Sequence, residues 1–412
     1  MTGIYLDHNS TTPIDPAVVD AMAECDRQGY ANPASSHAAG RTARRVLEAA
    51  REEVGTLLGA NLAGMAADRV IFTSGGTEAN NLAILGLAAA ALKTASGRQE
   101  TGERSAETAA LPPRAVISAI EHPSVLGPAQ QLERLGWRVD RVNVSRAGVA
   151  QLDELERLLS PETRIASVML GNNETGVVEP VAEIAAICRA RGIVVHTDAV
   201  QAVGKIGVSF RDLDVDAMTV AAHKFHGPRG IGALILRGGV PIEPILFGGF
   251  QQAGLRPGTE SVTLAVGMAA ALRIWHDRAA DCERHLRELR DSFEAQLAAA
   301  WPGLIVNGGE AERLPQTSNV AFPGVDRQAM LLTLDMAGIC CSTGSACASG
   351  SNEPSPVLRA MGCDEEVVGS ALRFSFGRPN TLAEVGDAVA RIVKLANELR
   401  VRKPGCAGRE IS

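Results

Sequence analysis

The chain has 412 residues, 46% hydrophobic, 21% charged and only 3% aromatic, with a formal net charge of −7. That balance is typical of a globular protein of enzyme size, with about two to three domains and a core of Ala, Val, Leu and Ile. The acidic excess argues against binding nucleic acid through phosphate neutralisation, and no apolar run of about 18 residues is present to cross a bilayer.

The chain opens on Tyr5-Leu6-Asp7, with no basic segment followed by an apolar one, so no signal peptide is expected. The eight cysteines form no CxxC pair and no disulfide framework. Reduced thiols in the cytoplasm and no metal site are the expectation. Asn9 to Pro13 reads as a polar turn, Asp15-Pro16 starts a helix, and Asn32 to His37 is a loop. Val46, Ala50, Val54 and Leu57 recur at helical spacing. Arg69 to Thr73 is a short buried strand, turned by Ser74-Gly75-Gly76-Thr77 into a helix from Glu78 to Leu92. Residues 93–113 are polar, without a strong hydrophobe before Leu111, and are expected to form a mobile surface insertion.

Strands and helices then alternate. Strands are expected at Ala115–Ser118, Arg138–Val144, Arg164–Leu170, Ile193–His196, Ala217–Ala221 and Gly232–Leu236. This order implies a mainly parallel sheet covered on both faces. Residues 261–300 are helical, and the shorter elements beyond Trp301 suit a smaller α+β domain.

Chemistry gathers in the turns that follow the strands. Gly76 and Thr77 precede a helix, where free N–H groups and the helix dipole favour a phosphate; a plain helix cap is the alternative. His122, in Glu121-His122-Pro123-Ser124, is suited to stack on a flat cofactor and move protons. Asn172 to Gly176 is a third polar turn. In His196 to Gln201, Asp198 is placed to pair with a protonated pyridine nitrogen and Gln201 to reach a phenolic oxygen; a capping role for Asp198 is the alternative. These four turns converge on the carboxyl edge of one sheet, where α/β ligand sites form. Lys224 leaves another strand among small apolar residues. Burial there disfavours the ammonium form, and a neutral amine can form a Schiff base; an ordinary loop lysine is the alternative. Arg373 lies inside an apolar run and calls for an anion, either a substrate carboxylate or a structural Asp or Glu. Residues 341–354 form a Gly/Ser-rich loop in which an exposed Cys347 could act as a nucleophile, whereas Cys340 and Cys341 follow an apolar stretch and read as packed.

Taken together these motifs, with Asn32-Pro33, His223-Lys224, Arg256-Pro257-Gly258-Thr259, Gly344-Ser345-Ala346-Cys347 and Arg373-Phe374-Ser375, resemble the cysteine desulfurases of the NifS/IscS type. These belong to the class-V aminotransferase group of pyridoxal-phosphate enzymes. The resemblance runs from Tyr5 to about Thr381, interrupted by 93–113. It implies an α/β protein of PLP fold type I, with a mainly parallel seven-stranded sheet in a large domain at 16–262. A smaller α+β domain would comprise 1–15 and 263–412 and carry the loop 341–354. The resemblance further implies that Lys224 holds pyridoxal 5'-phosphate, His122 stacks on its ring, Asp198 meets its nitrogen and Gln201 its phenolic oxygen. Gly76, Thr77 and His223 would hold the phosphate, with Thr259 from the second subunit of a homodimer. Asn32, Asn173 and Arg373 would position L-cysteine, with Asn173 also facing the cofactor. Cys347 would take the sulfur as a persulfide for an acceptor such as an iron–sulfur scaffold protein. A selenocysteine lyase of the same group, and a silent platform for docking sulfur-transfer partners, are the alternatives. Ala221 stands where many relatives carry a phosphate-binding Ser or Thr.

Overall fold

The computed structural model describes residues 3–99, 111–344 and 353–401. Its strands are β1 (Ile4–Tyr5), β2 (Arg69–Thr73), β3 (Arg114–Ser118), β4 (Arg138–Val142), β5 (Thr163–Ser167), β6 (Val194–Asp198), β7 (Ala217–Ala221), β8 (Gly232–Leu236), β9 (Ile305–Val306), β10 (Thr317–Ala321), β11 (Ile339–Cys340) and β12 (Ala371–Ser375).

Seven strands form the main sheet in the order β2-β8-β7-β6-β5-β3-β4. β8 runs antiparallel to both neighbours, and the other strand pairs are parallel. Side chains alternate between the two faces of a strand. Accordingly Val70, Phe72 and Val116 join one apolar core, whereas Ile71, Ala115 and Ile117 join another. Every position of β7 and β8 is buried, as expected for strands covered on both sides. The carboxyl ends of β2, β3, β5, β6 and β7 therefore lie along one edge, and the polar turns start there.

The helix after β2 begins at Gly76 rather than Glu78 and passes through a π turn at Leu82–Gly86 before continuing to Gln99. The first residues of the expected insertion are thus helical, because the Ala-rich run 87–91 carries the helix past Leu92. Residues 100–110 fall outside the described residues, and 111–113 lead irregularly into β3.

The second unit pairs β1 with β11 and β10 with β9 and β12. Its core is built from Leu6, Phe293, Phe322, Phe374 and Phe376, under the helices Ala279–Ala300 and Leu382–Val401. The helix Val262–His276 does not belong to it, contrary to a domain boundary at 262/263. Val262, Ala265, Met268 and Leu272 pack in the core of the large unit, where this helix lies against Pro16–Arg27 and Ala38–Leu57. The reason is its small-residue face: an added Cβ at Gly267 would meet Met22 Sδ at 2.6 Å. A turn at Asp277–Arg278 separates it from the helix that enters the second core. Among the described residues no helix is long and apolar enough to cross a membrane.

Candidate active site

A cavity of about 230 Å³ opens at the carboxyl edge of the sheet, lined by Gly76, Thr77, His122, Asn173, Asp198, Gln201, His223 and Lys224. The strand-end turns place these side chains. β6 ends on Asp198, and β7 runs into the short 3-10 turn Ala222–Lys224. Lys224 Nζ donates to the carbonyls of Asn9 (2.5 Å) and Ser10 (2.9 Å). Burial, then the Arg373 charge, push its amine down from 10.5 to about 8.

Asp198 Oδ2 accepts from Asn80 Nδ2 at 2.6 Å, and its Oδ1 accepts from the Val200 N–H. Asn80 also donates to Ser124 Oγ, which lies 2.7 Å from His122 Nδ1. His122 caps the helix Pro123–Arg134: its Nδ1 accepts the Ser124 N–H at 3.1 Å. That bond requires a bare Nδ1, so the neutral ring carries its proton on Nε2. Burial, outweighing the pull of Asp198, holds His122 below its ordinary value and keeps it neutral. Beneath it, Glu121 is fully buried and pushed up to about 8 by desolvation, although Ser118 and the Met169 N–H bind its Oε1.

The residues fit a flat, phosphorylated pyridine aldehyde. Gly76 opens a helix and leaves its N–H groups at the cavity wall, where an added Cβ would come within 3.0 Å of Val200 Cγ2. His223, held neutral by burial at about 4, lies beside them. Gln201 Oε1 is buried without a partner among the described residues, although its Nε2 donates to the Asn9 carbonyl. A carboxylate, an amine and phosphate-binding N–H groups in one cavity are the set such a cofactor needs. Ala221 is a wall of this cavity and offers no hydroxyl.

A second cavity adjoins the first through His122, Asn173, Gln201 and Lys224, and adds Asp7, Ser10, Cys341 and Arg373. Both anion readings for Arg373 meet here, because it pairs with Asp7 at 2.8 Å while facing the cavity. Cys340 and Cys341 are half-buried, and Cys341 packs against the second core as expected. Burial pushes the Cys341 thiol up, so Cys341 stays protonated at neutral pH. Gly344 and Ser355 border the segment that contains Cys347, and Cys347 itself lies outside the described residues. Within one chain, Asn32 and Thr259 line a different cavity together and do not reach Lys224. Among the described residues no His, Cys, Asp or Glu group is arranged to hold a metal.

The sequence profile of the aminotransferase class-V family matches residues 4–387. A cysteine desulfurase of Gluconacetobacter diazotrophicus is 40% identical over 405 residues, covering 98% of this chain and 96% of that relative. The chain belongs to the cysteine desulfurases of the class-V aminotransferase family. Cysteine desulfurase IscS of Dictyoglomus turgidum is 37% identical across 97% of the chain and 96% of its own length. A solved NifS-like protein superposes with a TM-score of 0.84 at 33% identity, covering 96% of this chain and all (100%) of that one. A structure of SspA in complex with cysteine gives 0.76 at 28% identity, covering 92% and 100%. The family is generally pyridoxal-phosphate dependent.

Several residues of this desulfurase site carried no sequence signal strong enough to single them out: Asp7, Asn9 and Ser10 from the opening turn, and Asn80 and Ser124 behind His122. Asn80 was the more accessible of these, since a polar residue one helical turn inside a buried helix face calls for a partner.

Proposed function

We propose that the protein removes sulfur from L-cysteine with pyridoxal 5'-phosphate, giving L-alanine and a persulfide on Cys347. The observation that carries this is the Lys224 amine, buried and lowered to about 8, on the wall of a cavity shared with Asp198, His122 and the Gly76-Thr77 helix start. When bound, the cofactor supplies an electron sink for charge released at the substrate Cα. Lys224 holds it and afterwards moves a proton at Nζ. Asp198 keeps the pyridine nitrogen protonated, with Asn80 and the Val200 N–H orienting its oxygens. Gly76, Thr77 and His223 hold the phosphate, Asn173 and Gln201 meet the ring substituents, and Thr259 completes the site across a homodimer.

His122 presents Nε2–H beside the reacting sulfur and stacks on the ring. Arg373 and Asn173 receive the α-carboxylate, with Asn32. Cys347 attacks the substrate sulfur as a thiolate; the new S–S bond forms as the Cβ–S bond breaks, and a proton completes L-alanine. A homodimer is supported by the exposed Phe247 (87%) and Phe250 (85%) in the loop leading to Thr259. The persulfide then passes to an acceptor such as an iron–sulfur scaffold protein in the reducing cytoplasm.

The purified protein is expected to be yellow and to release alanine from L-cysteine, with Cys347 persulfide identified by peptide mass spectrometry. Lys224→Ala should abolish alanine formation, and full activity of that variant would sink the reading. Unchanged sulfide release by Cys347→Ser would move the assignment to a selenocysteine-lyase type of reaction.

A further inference from the structure

Arg373 sits in the middle of β12 with its side chain only 5% exposed. Its Nη1 donates to the Asn173 carbonyl at 2.9 Å, and its Nη2 donates to Asp7 Oδ1 at 2.8 Å and to Ser10 Oγ at 2.9 Å. Its Nε is buried and has no acceptor among the described residues. A buried donor without a partner is costly, and it marks a place where an acceptor arrives. The Nε–Nη2 edge is one of the two-pronged faces on which a guanidinium binds a carboxylate. One prong lacks an acceptor among the described residues, and the other is occupied by Asp7. Asp7 and Arg373 border the same substrate-side cavity as Lys224.

We propose that Asp7 is a specificity-determining residue, an internal carboxylate that competes with the incoming α-carboxylate for the Nη2 prong of Arg373. The proposal rests on Arg373 receiving the substrate carboxylate. Asp7 does not depend on the ion pair for its place. Its backbone bridges Ser375, the Leu6 N–H donates to the Cys340 carbonyl, and the Asp7 carbonyl accepts the Ser10 N–H. The side chain is therefore able to yield while the backbone stays fixed.

Two consequences follow from charge. Without Asp7 the Arg373 charge would stand uncompensated in the cavity and would favour any small anion. With Asp7 one positive charge is offset, which favours an amino acid carrying its own ammonium group over a simple carboxylate. L-Alanine carries the same carboxylate as L-cysteine, so an internal competitor also speeds product departure.

The test compares the cofactor-loaded full chain with Asp7→Asn, which keeps the shape and an acceptor oxygen but removes the charge. KM for L-cysteine is measured with kcat, and calorimetry measures the Kd of 3-mercaptopropionate, which has the thiol and carboxylate but no amine. Both KM and Kd are expected to fall, KM by less and the Kd of the amine-free 3-mercaptopropionate by about fivefold if the competing pair has the strength of a partly exposed ion pair. Unchanged or weaker binding would mean that Asp7 only supports Arg373, and would overturn the proposal. Asp7→Ser gives a second reading should the first variant not fold, and unfolding of both would make the pair structural and overturn it as well. Arg373→Gln separates the two levels. If that variant leaves KM unchanged, the assignment of Arg373 itself fails. If it raises KM while Asp7→Asn does not lower it, only the role given to Asp7 fails.

Discussion

A lysine reacts with an aldehyde as the neutral amine, and burial of Lys224 brings that form within reach near neutral pH. An exposed lysine would need a pH near 10.5, whereas Lys224 loses its proton around 8. The rate of pyridoxal-phosphate uptake, followed by visible absorbance after a pH jump, is expected to rise through about pH 8 and then level off. A rise centred near 10.5 would contradict the burial argument. Lys224, Asp198, His122, Gly76 and Thr77 were legible in the sequence because each sits at the end of a strand or within four residues of it, where a polar or glycine-rich turn interrupts an apolar run. Asp7, Asn9 and Ser10 were not. Asn9 reaches Asn173 across 164 residues and Ser375 across 366, and such contacts leave no mark in the local pattern.

Among the elements, the parallel strands and their following turns do most of the positioning. Glu174 shows how a turn reaches beyond its own strand. Its carboxyl accepts from Ser355 Oγ at 2.6 Å, and an added Cβ at Gly344 would lie 3.2 Å from Oε2. One buried side chain thus bonds Ser355 on one side of Cys347 and leaves little room for a side chain at Gly344 on the other. The helix Val262–His276 makes a different point. Its helical character was evident from composition, but its allegiance to the large core was not, because an apolar face does not say which core it meets. Gly267→Val would drive a branched side chain into Met22 and Pro228. It is expected to cost about 1–3 kcal/mol in a denaturant melt. An unchanged melt would show that the contact with Pro16–Arg27 is loose.

The whole molecule joins its two units through a shared cluster, in which Ile120, Val144 and Met169 meet Ala321, Leu358 and Val368. It also buries charge-bearing groups at a cost in stability. Lys205 is fully buried, and its Nζ donates to the Lys224 carbonyl at 2.9 Å. Desolvation, then Arg378 and Lys224, push it from 10.5 down to about 7. The unfolded chain takes up this proton first. The stability tied to Lys205 is therefore complete above about pH 10.5 and is lost as pH falls toward 7. Lys205→Met should raise the thermal midpoint at pH 7, by roughly 1–2 °C for each kcal/mol recovered, and should raise it less at pH 10. An equal effect at both pH values would show that the amine stays charged when folded. The sequence by itself determined the class of the sheet, the turns at its carboxyl edge and most residues of the first cavity. Strand alternation, helix period and glycine-rich turns are set over a few neighbouring residues. Only the tertiary structure decided that the opening segment clasps Lys224 and Arg373, that Asn32 and Thr259 lie apart from them in one chain, and that the large unit runs to His276. Those outcomes depend on which surfaces meet, and close packing of distant residues settles that.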